Sequence, residues 1–351
     1  MAKRKGRAAD RHGHRVTSPW RMPSQAWKDI ASRTWKRAWQ DNVGLVAAGV
    51  TYYGFLALVP LLGMIVLAYG VLADPETVVR NVRAITMILP PDAAQLIADQ
   101  LIAAVKMTRE TRGFGILVAL LVALYGGTNG AGAIIGALNI AYVEKEKRSL
   151  GRFYLIAAAI TLGGVVLALL ALVAATSLTF LTNLVPGVSG VVVGVGKIGG
   201  YAALTLAAAA VAATLYRFAP SREHAQWQWI TPGSLFAAII WLLLTLVFSF
   251  YVTSVTDYGA TYGSLGTIIV LLTWIYLSAY ALIVGAELNS EIEHQTAKDS
   301  TTGKPRPMGK RGAWAADNVA KDDEPDVRKV PSMAEAMPDA PTQKKFKTEK
   351  R

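Results

Sequence analysis

The chain has 351 residues, of which 53% are hydrophobic and 17% charged, against about 25% charged in a typical soluble domain. It carries a formal net charge of +12 and no cysteine, which excludes disulfides, zinc fingers, iron–sulfur clusters and thiol catalysis. The charges crowd into residues 1–42 and 291–351 and leave the middle almost free of them, the pattern of a membrane core between solvated tails.

Residues 1–23 are basic and have no periodic apolar face, so they are expected to be a disordered tail. Residues 24–42 read as an amphipathic interfacial helix. Trp27, Ile30, Ala31, Thr34, Trp35 and Ala38 share one face, and Lys28, Asp29, Arg33, Lys36 and Arg37 lie elsewhere. A helix packed on the bundle is the alternative for this segment. The first long apolar run starts near Leu45, too far in and too long for a signal peptide, so a mature N-terminus is expected.

A bilayer core needs about 20 apolar residues in a helix. Six stretches of the 43–293 region qualify: 45–72, 113–141, 153–181, 198–218, 230–255 and 262–288. The fold class is therefore all-α, a polytopic membrane protein with six transmembrane helices. Pro60 should kink the first span, because it removes a backbone donor. Between spans one and two, residues 75–89 and 92–109 read as two amphipathic helices on the external side. Asp74-Pro75 is a start signal for one, and Asp92 with Gln95 caps the other. Residues 294–351 lack a periodic apolar face and are expected to be a disordered cytoplasmic tail.

Of the 36 Lys and Arg residues, 30 fall in the two tails and in the loops after spans two and four, and 6 fall on the opposite side. That bias predicts both termini in the cytoplasm. It also predicts anionic lipid headgroups, with no specific nucleic acid, as the partner of the net positive charge.

No charged residue lies in the middle of a span. Four charges, Asp41, Arg152, Arg217 and Glu287, are expected at similar depth at the cytoplasmic edge. They form either a polar network in which Arg217 pairs with Glu287 or Asp41, or ordinary contacts to headgroups and water. Asn129 and Asn139 in span two need partners and should face inward. With Tyr52, Tyr125 and Tyr276 they are candidates for a polar lining or for interhelical bridges. Gly126, Gly130, Gly132 and Gly136 in span two, and Gly263 and Gly266 entering span six, fit small-residue packing, with hinge behaviour second; Pro60 belongs with them. These faces serve packing within one chain or between copies, so a homo-oligomer stays open. The four histidines are not placed as a ligand pair, and no glycine run follows a strand, so neither a metal nor a cofactor is expected.

Several segments resemble the YihY/virulence-factor BrkB family. They are Ala47-Ala48-Gly49-Val50-Thr51-Tyr52-Tyr53 with Leu58-Val59-Pro60-Leu61-Leu62, then Ala137-Leu138-Asn139-Ile140-Ala141-Tyr142 with Glu144 and Arg148. They continue with Tyr216-Arg217, Pro220, Trp229 and Pro232-Gly233. The most specific are Tyr262-Gly263-Ser264-Leu265-Gly266, Trp274-Ile275-Tyr276-Leu277-Ser278 and Gly285-Ala286-Glu287-Leu288-Asn289. The resemblance covers about residues 30–293 and departs at Gly54-Phe55-Leu56-Ala57, where the family more often has a serine. It implies a six-span protein of the bacterial inner membrane. It also carries a historical label, ribonuclease BN. Nuclease chemistry needs metal-binding carboxylates or a histidine pair beside an RNA groove, and the soluble parts here are two tails, so no enzyme is expected.

Two functions remain. A transporter or lipid-translocating protein of the envelope predicts a cavity in the bundle. A membrane organiser that binds partners predicts a tightly packed one.

Overall fold

The structure is a computed structural model, and it describes residues 12–72, 114–184, 190–254, 264–320 and 331–338. The two helices expected over 75–89 and 92–109, and Gly263, lie outside the described residues. Helix α1 spans Ser24–Gln40. The six long helices are α2 (Val43–Leu72), α3 (Phe114–Ala141), α4 (Leu150–Leu184), α5 (Gly190–Phe218), α6 (Trp227–Ser254) and α7 (Ser264–His294). Each contains an apolar segment long enough to cross a bilayer. No strand occurs among the described residues, apart from an isolated antiparallel bridge between Ala225 and Thr301. The all-α, six-span reading holds. In a membrane this is the economical solution, because a helix satisfies its own backbone hydrogen bonds.

The packing order differs from the chain order. Helix α3 lies against α2 and α4, α2 also lies against α7, α7 against α6, and α6 against α5. The bundle is thus an arc that runs α4, α3, α2, α7, α6, α5. No packing interface joins α4 to α5 among the described residues, although they are consecutive in sequence. Small residues let the arc close tightly elsewhere. A Cβ built on Gly126 would lie 2.8 Å from Pro60 Cγ, and one on Gly130 would lie 2.9 Å from Ala57 Cβ. Pro60 stays inside α2, with its ring against the groove that Gly126 provides.

The polar end of the bundle is more ordered than the sequence suggests. Helix α1 packs on α7 through Ala26 and Ile30, which join Met22, Trp229 and Ile292 in a small buried cluster. Its Trp35 and Trp39 remain exposed. Arg33 Nε donates to Glu291 Oε2 at 2.7 Å and fixes α1 to α7.

Both tails, expected to be disordered, carry hydrogen-bonded segments in their described part. Ala297 N donates to His14 O, Thr302 N to His224 O and Ala320 N to His294 O, each at 2.8 Å. Arg311 Nη1 donates to Ala316 O at 2.6 Å and its Nη2 to Ala297 O at 2.9 Å. A short turn of helix, α8, spans Trp314–Asp317. A second, α9, spans Met333–Ala336 and carries a capping box between Ser332 and Glu335. Ala336 is fully buried, and Met337 packs where a Cβ on Gly136 would stand, 2.8 Å from its Sδ. Backbone pairing and charged anchors hold these segments, not an apolar stripe. A search for apolar periodicity cannot see them.

Candidate functional site

The missing α4–α5 interface leaves a cavity of about 1690 Å³, larger than the roughly 300–1,000 Å³ of most small-molecule sites. Its walls come from α2, α3, α4, α5 and α7 and are apolar, with many small side chains: Gly54, Ala57, Gly130, Gly163, Gly164 and Ala210. A Cβ on Gly163 or Gly164 would meet nothing within 4 Å. The glycines and alanines interspersed along this lining leave the space between α4 and α5 unfilled.

At the polar end the lining changes to Lys147, Arg148, Arg152, Arg222, Glu223 and His224. The loop of residues 142–149 sets the geometry. Val143 turns the chain with φ 57°, so that Glu144 and Glu146 point back into the protein and are buried. Arg148 grips Glu146 with Nε at 2.8 Å and Nη2 at 2.7 Å, and also donates to Ala219 O at 2.8 Å. Burial alone would raise the Glu146 carboxyl, but the Arg148 hydrogen bonds and charge outweigh it and hold the group below its ordinary value. Glu144 shows the opposite balance. Burial dominates over the Trp314 amide, Arg222 and Lys147, and its pKa is raised. Arg222 Nη2 lies 2.6 Å from Glu293 Oε2, with side chains 2% and 0% exposed. Burial opposes the Arg222 charge, but Glu293 more than compensates, and its pKa is raised.

None of the five residues proposed as a polar lining, Asn129, Asn139, Tyr52, Tyr125 and Tyr276, lines the cavity. Asn139 is fully buried and ties three segments together. Its Nδ2 donates to Ala336 O at 2.9 Å and to Glu146 Oε2 at 3.1 Å, and its Oδ1 accepts from Ser221 N at 2.7 Å. Asn129 does not face inward; it is exposed on the outer surface of α3. Tyr125 (66% exposed) and Tyr52 (60%) are on the outside as well, and Tyr276 is half-buried against Tyr280. The two asparagines should respond differently to substitution. Asn139→Leu strands a buried amide and a buried carbonyl, each worth about 1–3 kcal/mol, whereas Asn129→Leu should change stability by no more than about 0.5 kcal/mol. Thermal unfolding of the two purified variants checks the contrast.

The four edge charges do not form one network. Arg217 donates to Ala225 O at 2.5 Å and stacks over Trp227 at 4.6 Å from the ring centre. It forms no ion pair with Asp41 or Glu287 among the described residues. Asp41 instead lies 3.7 Å from Arg37, which also reaches Glu291 at 4.0 Å. Glu287, one turn before Glu291 on α7, is buried. Arg152 stands apart at the cavity mouth. Gly132 faces Phe153, and Gly266 is buried at the start of α7.

The tightest glycine contact among the described residues involves two glycines that the sequence marks only as part of the family-like segments, not as packing positions. Gly233 of α6 and Gly285 of α7 meet backbone to backbone, and a Cβ on Gly285 would lie 2.7 Å from Gly233 O. Pro232, inside α6, disturbs the helix ladder there. Asn289 repairs it, with Oδ1 accepting from Gly233 N at 2.8 Å and Nδ2 donating to Ile230 O at 2.9 Å. The signal in the sequence was a proline in span five opposite an asparagine in span six. No group of three or more His, Cys, Asp or Glu residues among those described could hold a metal ion.

The sequence pattern of the family described as Virulence factor BrkB matches residues 34–309. The chain belongs to the BrkB family. It is a multi-pass protein of the bacterial inner membrane. The BrkB match includes the helices that wall the cavity, the cations of its mouth and the Gly233–Gly285 crossing, and it ends before α8 and α9. Among BrkB-like relatives, a ribonuclease-like protein YfkH of Bacillus subtilis is 32% identical over 187 residues, 52% of this chain and 68% of that one. A UPF0761 membrane protein of Albidiferax ferrireducens is 27% identical over 77% of this chain and 65% of its own length. One of Psychromonas ingrahamii is 25% identical over 74% and 86%. The chain spans under two thirds of the Albidiferax relative and of a similar one from Delftia acidovorans. No solved structure matches.

Proposed function

We propose that this protein is a non-enzymatic transporter that moves a membrane amphiphile between leaflets through the cleft between α4 and α5. The charge bias of the loops supports a cytoplasmic position for the polar end of the bundle. The observation that carries the reading is the form of the cavity. It lies between two helices that share no packing interface among the described residues, it is apolar along its depth, and it turns basic at one end. A polar solute gains nothing from such walls. An acyl chain gains about 0.8 kcal/mol for each CH2 removed from water, and loses nothing on moving from bilayer to cleft, so it can enter sideways. The headgroup then needs only the charged rim. The ribonuclease-like name belongs to the Bacillus relative, and this reading includes no hydrolytic step.

The test uses the full chain in liposomes that carry a fluorescent phospholipid, with an impermeant quencher outside. Wild-type protein should make the inner-leaflet lipid accessible. Gly164→Trp and Ala210→Trp, which fill the cleft from its two sides, should each slow that exchange by about tenfold, a change of about 1.4 kcal/mol in the barrier. An unchanged rate in both, with both proteins folded, removes the cleft from the path and leaves the organiser reading.

A further inference from the structure

The cations at the cavity mouth are not equivalent. Lys147 lies 3.2 Å from Glu144, Arg148 2.7 Å from Glu146 and Arg222 2.6 Å from Glu293. Glu223, the acid on the same rim, is 3.4 Å from Arg306. Arg152 is exposed, lines the same cavity and forms no hydrogen bond or ion pair among the described residues. Among the described residues the mouth therefore keeps one positive charge without an acidic partner, placed on the first turn of α4.

What lies beneath Arg152 gives that charge a partner of definite shape. Leu155, Ile156, Ala159, Ile160, Gly163 and Leu167 follow it down the cavity wall on α4. From Arg152 to Leu167 the helix rises roughly 22 Å at 1.5 Å per residue. One leaflet of hydrocarbon is about 15 Å thick, so the wall accommodates the full length of an acyl chain whose headgroup sits at the guanidinium.

Resting on the translocation reading above, we propose that the mouth selects a phospholipid with net negative charge, and that Arg152 is the residue that binds its phosphate. A guanidinium offers two parallel N–H donors to two phosphate oxygens, a stronger contact than a single neutral hydrogen bond. A zwitterionic lipid brings its own ammonium to a rim where the acids are already paired. A monoanionic headgroup neutralises the mouth.

Binding of phosphatidylglycerol and phosphatidylcholine with identical acyl chains to the full-length protein, measured by native mass spectrometry, tests the assignment. The anionic lipid should bind about tenfold more tightly, the scale of one charge-assisted contact. Arg152→Gln should bring the ratio to within about twofold, Arg152→Lys should keep most of it, and Lys36→Gln, an exposed cation on α1 outside the cavity, should leave it unchanged. Inorganic phosphate should not displace the bound lipid, because it lacks the chain that fills the wall. Equal binding of both lipids overturns the headgroup assignment and leaves the cleft reading in place. So does a ratio that survives Arg152→Gln, or one that falls as far with Lys36→Gln, which would mean general rim charge. Displacement by inorganic phosphate makes the site one for the free anion. Failure of both lipids to bind overturns the translocation reading as well.

Discussion

Replacing Gly285 by alanine is expected to destabilise the bundle by at least about 3 kcal/mol, the upper range for an overpacked interior. The added methyl would stand 2.5 Å from Tyr216 Oη, 2.6 Å from Ala237 Cβ and 2.7 Å from Gly233 O. Two of those neighbours belong to α6 and one is backbone, so no rotamer change relieves the clash. Helices α6 and α7 would have to separate, which would withdraw Asn289 from Gly233 N and Ile230 O and Tyr216 from its bond to Leu282 O. Lipid offers no hydrophobic force to hold the helices together, so close packing is much of what binds them. Gly163→Ala is the control. Its methyl meets nothing within 4 Å, and alanine favours a helix by about 1 kcal/mol over glycine, so that variant should be as stable as wild type or more so. Thermal unfolding in detergent, followed by size-exclusion chromatography, separates the two. Equal midpoints for the variants would show that the crossing is looser than its geometry implies.

The contrast between the two glycines shows where the sequence is legible. Six spans follow from apolar length, and length is what the bilayer demands. The faces of those spans do not follow, because helices that are apolar all round carry no amphipathic phase. Asn129 and Asn139 are the same residue type in one span, yet one faces outward and the other is buried among three segments. Gly163 and Gly285 are equally alike in sequence and opposite in surroundings. The cavity is illegible for a related reason: it lies where α4 and α5 share no packing interface among the described residues, and no local pattern encodes a missing interface. Arg152 could be placed at the rim from the sequence alone. The partnering of the cations around it could not, because Glu146, Glu144 and Glu293 reach them through a turn at Val143 and the end of α7. The tail segments escape for a third reason, since backbone amides and Arg311 hold them.

The Arg222–Glu293 pair carries the other large effect. Both side chains are almost fully buried, and two hydrogen bonds of 3.1 and 2.6 Å join them. Arg222 also stacks over the Tyr142 ring at 4.9 Å, and Glu293 accepts from Ser300 Oγ at 2.7 Å. Arg222→Met should cost about 3–5 kcal/mol, because it leaves the Glu293 charge buried without its cation. Glu293→Gln should be damaging in the same way, since it strands the guanidinium. The double variant, Arg222→Met with Glu293→Gln, removes both charges and keeps an acceptor for Ser300. It should be more stable than the sum of the single losses predicts, by a coupling of about 0.5–3 kcal/mol. Unfolding midpoints of the four proteins give that coupling directly, and strict additivity would mean that the two charges do not sense each other. The outcome bears on the mouth as well as on stability. If the pair is coupled, Arg222 is neutralised within the protein and serves as scaffold, and the charge offered to a ligand at the rim is that of Arg152.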